Sequence, residues 1–329
     1  MVAAAAIVFA LLSFASSSLA QSNDPNNATD LSKRGLLYIP TSEPSDYNIF
    51  TTSDSPLSWY TTYSTWATLQ SNSSLEFVPM IHGTNSVSDD VSAIQSQSSS
   101  SDNVLVFNEP DGNISSGGSS ITPTDAAKTF VSTILPLRTN HGKKLSLPAT
   151  TGSSQGLDWL QAFNRSCYAL SPHTSGCPFD FVAAHWYGDF AGMTAWLGTL
   201  HELYPDKPVW LTEFAIPSAS VEATQAMMNQ SLPWLDATTW IERYAWFGTF
   251  RSNEANEWTG DGVSLLQADG GLTVLGATYL GGDKTGFKQG ERVGGSENGV
   301  GRMAVAPASV LGYCFNVALL IALGSLLLG

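Results

Sequence analysis

Val104-Leu105-Val106-Phe107-Asn108-Glu109-Pro110-Asp111 carries an unbroken apolar run straight into a carboxylate, and Val209-Trp210-Leu211-Thr212-Glu213-Phe214-Ala215 repeats the arrangement further along. A continuous apolar run, rather than an alternating one, is what a strand covered on both faces looks like. Working outward, comparable runs occur at Gly35 to Pro40, Leu57 to Tyr63, Phe77 to Ile81, Leu145 to Pro148, Phe181 to His185 and Tyr244 to Phe250, which with Val104 to Asn108 and Val209 to Glu213 makes eight. Helical spacing lies between many of them. In the clearest helix Thr122 is placed to cap, Pro123 takes the first position, Asp125 the third, and Ala127, Phe130, Val131 and Ile134 share one face. Eight strand-helix units over about 250 residues is the size of an α/β chain folded as a single (β/α)8 TIM barrel, expected over residues 33–280. An open doubly wound sheet competes, but the first strand runs into Pro40-Thr41-Ser42-Glu43 and no glycine-rich phosphate loop follows. Asp261 to Tyr279, with Asp269-Gly270-Gly271 inside it, reads as a closing hairpin.

The 329 residues are 43% hydrophobic and 11% aromatic, which excludes a disordered tail or a coiled coil. A net charge of -14 with no basic stretch excludes nucleic acid as a partner. Only 13% of residues are charged, so the polar surface falls to Ser, Thr, Asn and Gln, as suits an extracellular, glycan-rich setting.

The two ends fit that setting. Residues 1–20 run Ile7-Val8-Phe9-Ala10-Leu11-Leu12 into Ser18-Leu19-Ala20, a signal peptide cleaved after Ala20, and too short an apolar run for a membrane helix. An N-terminal extension, 21–32, follows. Residues 281–301 turn to Gly, Lys, Glu and Ser and read as a flexible stalk. Residues 302–329 are apolar from Val310 to Leu328 and carry no charge after Arg302, the layout of a removed GPI-anchor signal rather than of a spanning helix. Attachment falls among Gly295, Ser296 and Asn298, with Asn298 preferred. The expected location is secreted, at the cell surface or wall, held to the membrane through a lipid anchor. Cys314 departs with the tail, leaving Cys167 and Cys177 to form a disulfide rather than two free thiols. Sequons stand at Asn27, Asn72, Asn113, Asn164 and Asn229. A monomer is expected.

The active face of such a barrel lies at the carboxyl ends of its strands, so Glu109, ending the fourth, and Glu213, ending the seventh, would face each other across one mouth. Facing carboxylates are what glycoside cleavage requires, one protonated for the leaving oxygen and one ionised to attack the anomeric carbon. Taken singly, each Glu reads more readily as a salt-bridged strand end or a helix cap; it is the recurrence of the pattern, each time with a distinctive neighbour, that favours chemistry. Asn108 is placed to bond a sugar 2-hydroxyl. His185 can orient a carboxylate or a hydroxyl, and Trp186 and Tyr187 offer faces for a sugar ring, as do Trp59, Tyr60 and Trp246; for each aromatic, core packing is an equal alternative. His201-Glu202-Leu203-Tyr204 lacks the second His of a zinc helix, and neither a Gly-x-Ser-x-Gly elbow nor a phosphate loop occurs, so neither a metal nor a cofactor is expected.

The ordered motifs Lys33-Arg34-Gly35-Leu36, Leu75-Glu76-Phe77-Val78-Pro79-Met80, Phe107-Asn108-Glu109-Pro110-Asp111, Ala184-His185-Trp186-Tyr187-Gly188, Thr212-Glu213-Phe214-Ala215 and Arg243-Tyr244-Ala245-Trp246-Phe247-Gly248 resemble the Asl1-like fungal proteins of glycoside hydrolase family 128. The resemblance covers almost the whole globular part and includes the cysteine pair before the His-Trp-Tyr run. It implies a (β/α)8 fold, a retaining mechanism and β-1,3-glucan as substrate, with Glu109 as acid/base and Glu213 as nucleophile. Leu37-Tyr38-Ile39-Pro40 departs from the pattern, which has an Asn soon after the aromatic. Two other functions remain open at this point: a β-glucan-binding wall protein without turnover, and a barrel glycosidase for another β-linked polysaccharide.

Overall fold

The computed structural model describes residues 31–69, 73–97, 101–170 and 176–293. The expected signal peptide, most of the expected N-terminal extension, Asn27, Asn72, Asn298 and the apolar tail lie outside the described residues. Strands β1 Arg34–Leu37, β2 Trp59–Thr61, β3 Glu76–Val78, β4 Met80–Ile81, β5 Asn103–Val106, β6 Lys144–Leu147, β7 Phe181–Tyr187, β8 Val209–Ala215 and β9 Ile241–Trp246 form one parallel sheet, ordered β3-β2-β1-β9-β8-β7-β6-β5-β4. The two ends of that order are one stretch of chain. Pro79 has no N–H for the ladder and splits the expected strand 77–81 into β3 and β4, yet its carbonyl accepts from the Leu105 N–H at 2.9 Å while Phe77 O accepts from Ser101 N–H at 3.0 Å. Residues 76–81 thus pair on both sides and bend the sheet into the (β/α)8 barrel, with all eight expected strands present.

Side chains alternate along every strand. Leu37, Trp59, Val78, Met80, Leu105, Phe181, Ala183, Trp210 and Ala245 cluster inside the barrel. Their neighbours Leu36, Tyr60, Phe77, Val104, Val182, Leu211 and Tyr244 pack outward against helical residues such as Ile94, Phe130, Phe163, Leu197 and Met228. The lower half of the interior is filled by rings: Trp210 stacks on Phe181 at 4.2 Å, Trp59 lies 5.5 Å from Trp210, and the Arg243 guanidinium sits 4.3 Å from the Trp210 ring centre. Gly35 is required beneath Trp59, because a Cβ there would stand 2.2 Å from the indole.

The helices are α1 Val87–Ser96, α2 Pro123–Thr129, α3 Leu135–His141, α4 Ser154–Leu170, α5 Phe190–Leu203, α6 Val221–Ala237 and α7 Val274–Tyr279. The Thr122 side chain caps α2, accepting from Asp125 N–H at 3.2 Å as its spacing predicts. The expected single helix is interrupted by a π-turn, Phe130–Ile134, where Leu135 N–H donates to Phe130 O. Pro136 follows at once and could neither donate nor tolerate a carbonyl one turn back, so the helix resets there as α3. Cys167, in α4, bonds to Cys177, ahead of β7, with Cα atoms 5.2 Å apart.

Two boundaries differ from expectation. The closing hairpin over 261–279 shrinks to one antiparallel bridge, Leu266 with Leu272, around a turn in which Gly270 N–H donates to Gln267 O at 2.9 Å; Thr273 then caps α7. The stalk expected from Gly281 does not begin there. Phe287 is buried in the outer core, Gly290 N–H donates to Leu272 O at 2.8 Å, and Leu272 N–H donates to Glu291 O at 2.9 Å, so the chain through 291 is a strap on the barrel. Glycine and charge mark turns there rather than disorder.

Beneath the barrel, Arg34 is buried and donates to Asp236 Oδ2 at 2.9 Å, to Tyr244 Oη at 2.8 Å and to the Tyr279 carbonyl at 2.6 Å, tying β1 to α6, β9 and α7. Removing one partner leaves the other charge enclosed and alone. Asp236→Ala should therefore lower the unfolding free energy by about 3–5 kcal/mol in denaturant titrations. A loss below about 1 kcal/mol, the scale of an exposed pair, would show that this network does not hold the barrel floor.

Candidate active site

Two irregularities in the sheet present the carboxylates. In β8 the register with β7 shifts: Ala184 pairs with Leu211, but His185 pairs with Glu213. Thr212 is the extra residue. On an unbulged strand Glu213 would share the outward face of Val209 and Leu211; the bulge reverses that parity and turns it into the mouth. In β5 the strand breaks just before its acid, with Phe107 at φ 56° and Glu109 at φ 38°. Neither is glycine, and left-handed backbone at such residues costs about 1–3 kcal/mol each. Glu109 is held there by its N–H donating to Ala149 O at 2.7 Å.

Between the two acids stands His185, with no solvent exposure. Its Nδ1 lies 3.0 Å from Glu109 Oε1, and its Nε2 lies 3.5 Å from Glu213 Oε1. Tyr63 donates to Glu213 Oε1 at 2.8 Å and Tyr187 to Glu213 Oε2 at 2.6 Å. Oxygens of the two carboxylates come within 4.8 Å of each other and of the imidazole. These three side chains also constitute a set of donors close enough together to ligate a cation. Nδ1 lies within hydrogen-bonding distance of Glu109 Oε1, so a cation held through that nitrogen would have to displace this contact.

Burial pushes the Glu213 carboxyl above the ordinary carboxylate range, and the neighbouring Glu109 adds to this, while His185 and the two tyrosine hydroxyls pull the other way. Burial works against charge on His185 too, but the fields of Glu213 and Glu109 outweigh it and raise the imidazole above its usual value. Tyr63 and Tyr187, buried against the same carboxylate, are held far above the phenol range and stay donors.

The structure therefore brings Glu109, Glu213, His185 and Tyr187 together. Asn108 is next to them and 4% exposed; its amide donates to Gly117 O at 3.1 Å, and its Oδ1 is enclosed without a protein partner. Trp186 is half-buried on the outward parity, its Nε1 donating to Asp189 O at 2.9 Å. Three expected ring platforms are core residues instead. Trp59 fills the barrel interior, Tyr60 packs on the outer face at 3% exposure, and Trp246 is enclosed with its Nε1 donating to Val263 O at 2.8 Å. Sequence reasoning passed over Tyr63, although Trp59, Thr61 and Tyr63 share the inward parity and only the last is high enough to reach the mouth. It also missed Trp258, 56% exposed, whose ring centre lies 4.7 Å from that of Tyr187. Trp258 belongs to a loop beyond β9 and carries no strand-end signature.

A parallel barrel with a carboxylate pair at its carboxyl-end mouth is the scaffold of a glycoside-cleaving enzyme. Residues 35–279 match the family model of the glycosyl hydrolase catalytic core, and the chain belongs to that family. Over 255 residues it is 31% identical to alkali-sensitive linkage protein 1 of Schizosaccharomyces pombe, a match covering 75% of this chain but 44% of that protein. The chain thus spans less than half the length of that relative. Among solved structures it is similar to an exo-β-1,3-glucanase of glycoside hydrolase family 128, subgroup VI, from Aureobasidium namibiae, with a TM-score of 0.66, 27% identity and coverage of 78% of this chain and 99% of that one. An endo-β-1,3-glucanase of the same family, subgroup IV, from Lentinula edodes gives a TM-score of 0.60 at 27% identity, covering 75% and 98%.

Since Tyr187 donates to the ionised form of Glu213, Tyr187→Phe should raise the pKa of that carboxyl further. If Glu213 is the group that must be ionised for turnover, the acid limb of the kcat/KM pH profile should then move to higher pH. A limb that stays put or moves down would remove Glu213 from the role of the ionised group.

Proposed function

We propose that the chain is a retaining glycoside hydrolase acting on β-1,3-glucan, with Glu213 as nucleophile and Glu109 as acid/base. One observation carries this: two carboxylates at the mouth, one oxygen of each within 4.8 Å of the other's, with an imidazole facing both. Retaining enzymes keep the pair about 5–5.5 Å apart, whereas inverting ones need about 6.5–9.5 Å to seat a water. Glu213 attacks the anomeric carbon while Glu109 gives its proton to the departing oxygen; Glu109 then takes a proton from the water that releases the glycosyl-enzyme. Tyr63 and Tyr187 aim the nucleophile, and His185 keeps the two acids from ionising against each other unrelieved. The glucan assignment is supported by the β-1,3-glucanases to which this fold is similar. Trp258 is the exposed ring best placed beside Tyr187 to stack on a sugar.

The same proposal places a monomeric protein at the cell surface or wall, carried there by the leader 1–20 and held by a lipid anchor attached at Asn298. The disulfide between Cys167 and Cys177 suits an oxidising compartment.

Linkage-defined laminari-oligosaccharides test the chemistry. The wild type should release products of retained anomeric configuration, followed by NMR. Glu109→Gln and Glu213→Gln should each lower turnover by at least about 10²–10⁴-fold while leaving the fold intact by circular dichroism. Binding with no new reducing ends would favour a glucan-binding protein, and inverted products would remove Glu213 as the attacking group.

A further inference from the structure

Residues 111–120 leave Glu109 and fold back over it. Gly112 N–H donates to Glu109 O at 2.9 Å, Ser119 N–H to Asn108 O at 3.0 Å, and Ile121 N–H to Pro110 O at 2.9 Å. Two glycines allow so tight a return: a Cβ on Gly118 would stand 2.6 Å from the Gly112 carbonyl carbon and 2.8 Å from Glu109 O, and one on Gly112 would stand 3.5 Å from Glu109 Oε2. The backbone of residue 112 thus runs along the carboxylate that acts as acid/base. The next residue is Asn113. It is exposed, in extended backbone at φ -76° and ψ 150°, and it heads Asn113-Ile114-Ser115, with Ile114 65% exposed and Ser115 exposed.

No other described sequon has this setting. Asn164 is half-buried within α4, and Asn229 lies inside α6 with its Ser231 fully buried. An extended acceptor in an exposed loop, one peptide from the rim of the cleft, is where a bulky, hydrated modification fits without disturbing a helix.

We propose that Asn113 carries an N-linked glycan, and that this glycan forms a wall of the cleft on the Glu109 side, leaving room for short oligosaccharides while hindering long glucan chains. The second half rests on the glucanase assignment; the first does not. The full-length chain, secreted from a eukaryotic host, is compared with Asn113→Gln and Ser115→Ala, two variants that remove the sequon from different ends. Peptide mass spectrometry reads occupancy of Asn113, and kcat/KM is measured on polymeric β-1,3-glucan and on laminaritriose. Occupied wild type is expected, with both variants gaining about threefold or more on the polymer and unchanged on the trisaccharide. An unmodified Asn113 peptide overturns the proposal. So does an occupied site whose removal leaves the polymer-to-trisaccharide ratio unchanged, since the glycan then walls nothing. If no form cleaves either substrate, the glucanase assignment and the wall fall together, while the peptide map still decides the modification.

Discussion

An imidazole sealed between two carboxylates is the constraint around which the mouth of this barrel is organised. Two acids whose oxygens approach within 4.8 Å repel each other when both are ionised, and burial makes each charge dearer still. His185 answers both problems at once, because it presents one ring nitrogen to each acid. Its raised pKa also has a stability consequence. A histidine that gains its proton more readily in the folded chain contributes stability below its ordinary value, and that contribution fades as pH climbs through the raised one. The same contact that separates the two acids thus also ties the stability of the fold to the proton on His185.

Much of this was readable in the chain. Continuous apolar runs ending in Asn-Glu and Thr-Glu located the strands and put both acids on one rim, because parallel strands all finish on the same side. The Thr122-Pro123 start of α2 was legible because capping is a local matter of side-chain reach. What escaped were features that depend on parity or on neighbours. Nothing in Leu211-Thr212-Glu213 announces a bulge, yet without it the second acid would face the helices. Tyr60 and Trp246 failed as platforms because they stand on outward positions, and Trp59 failed because it is inward but too low. Counting twos along each strand separates Tyr63, His185 and Tyr187 from these three, but only once the level of the mouth is known from the pairing of neighbouring strands.

The strap over residues 281–291 makes a similar point about composition. Glycine, lysine and glutamate commonly signal a solvated tether, and here one phenylalanine reverses the outcome. Phe287 buries its ring in the outer layer, and the flanking glycines supply the left-handed turns, Gly286 at φ 90° and Gly290 at φ 80°, that let so short a segment reverse onto Leu272.

The packed lower barrel settles the direction of traffic. With Trp59, Phe181, Trp210 and the Arg243 guanidinium occupying the interior beneath the acids, the central axis offers no passage. On the proposed glucanase reading, a polymer could not thread the molecule; it would lie sideways over the rim, and both fragments would depart by the side on which the parent chain arrived. Processive movement would then depend on the loops around that rim, leaving the aromatic plug free to serve rigidity alone.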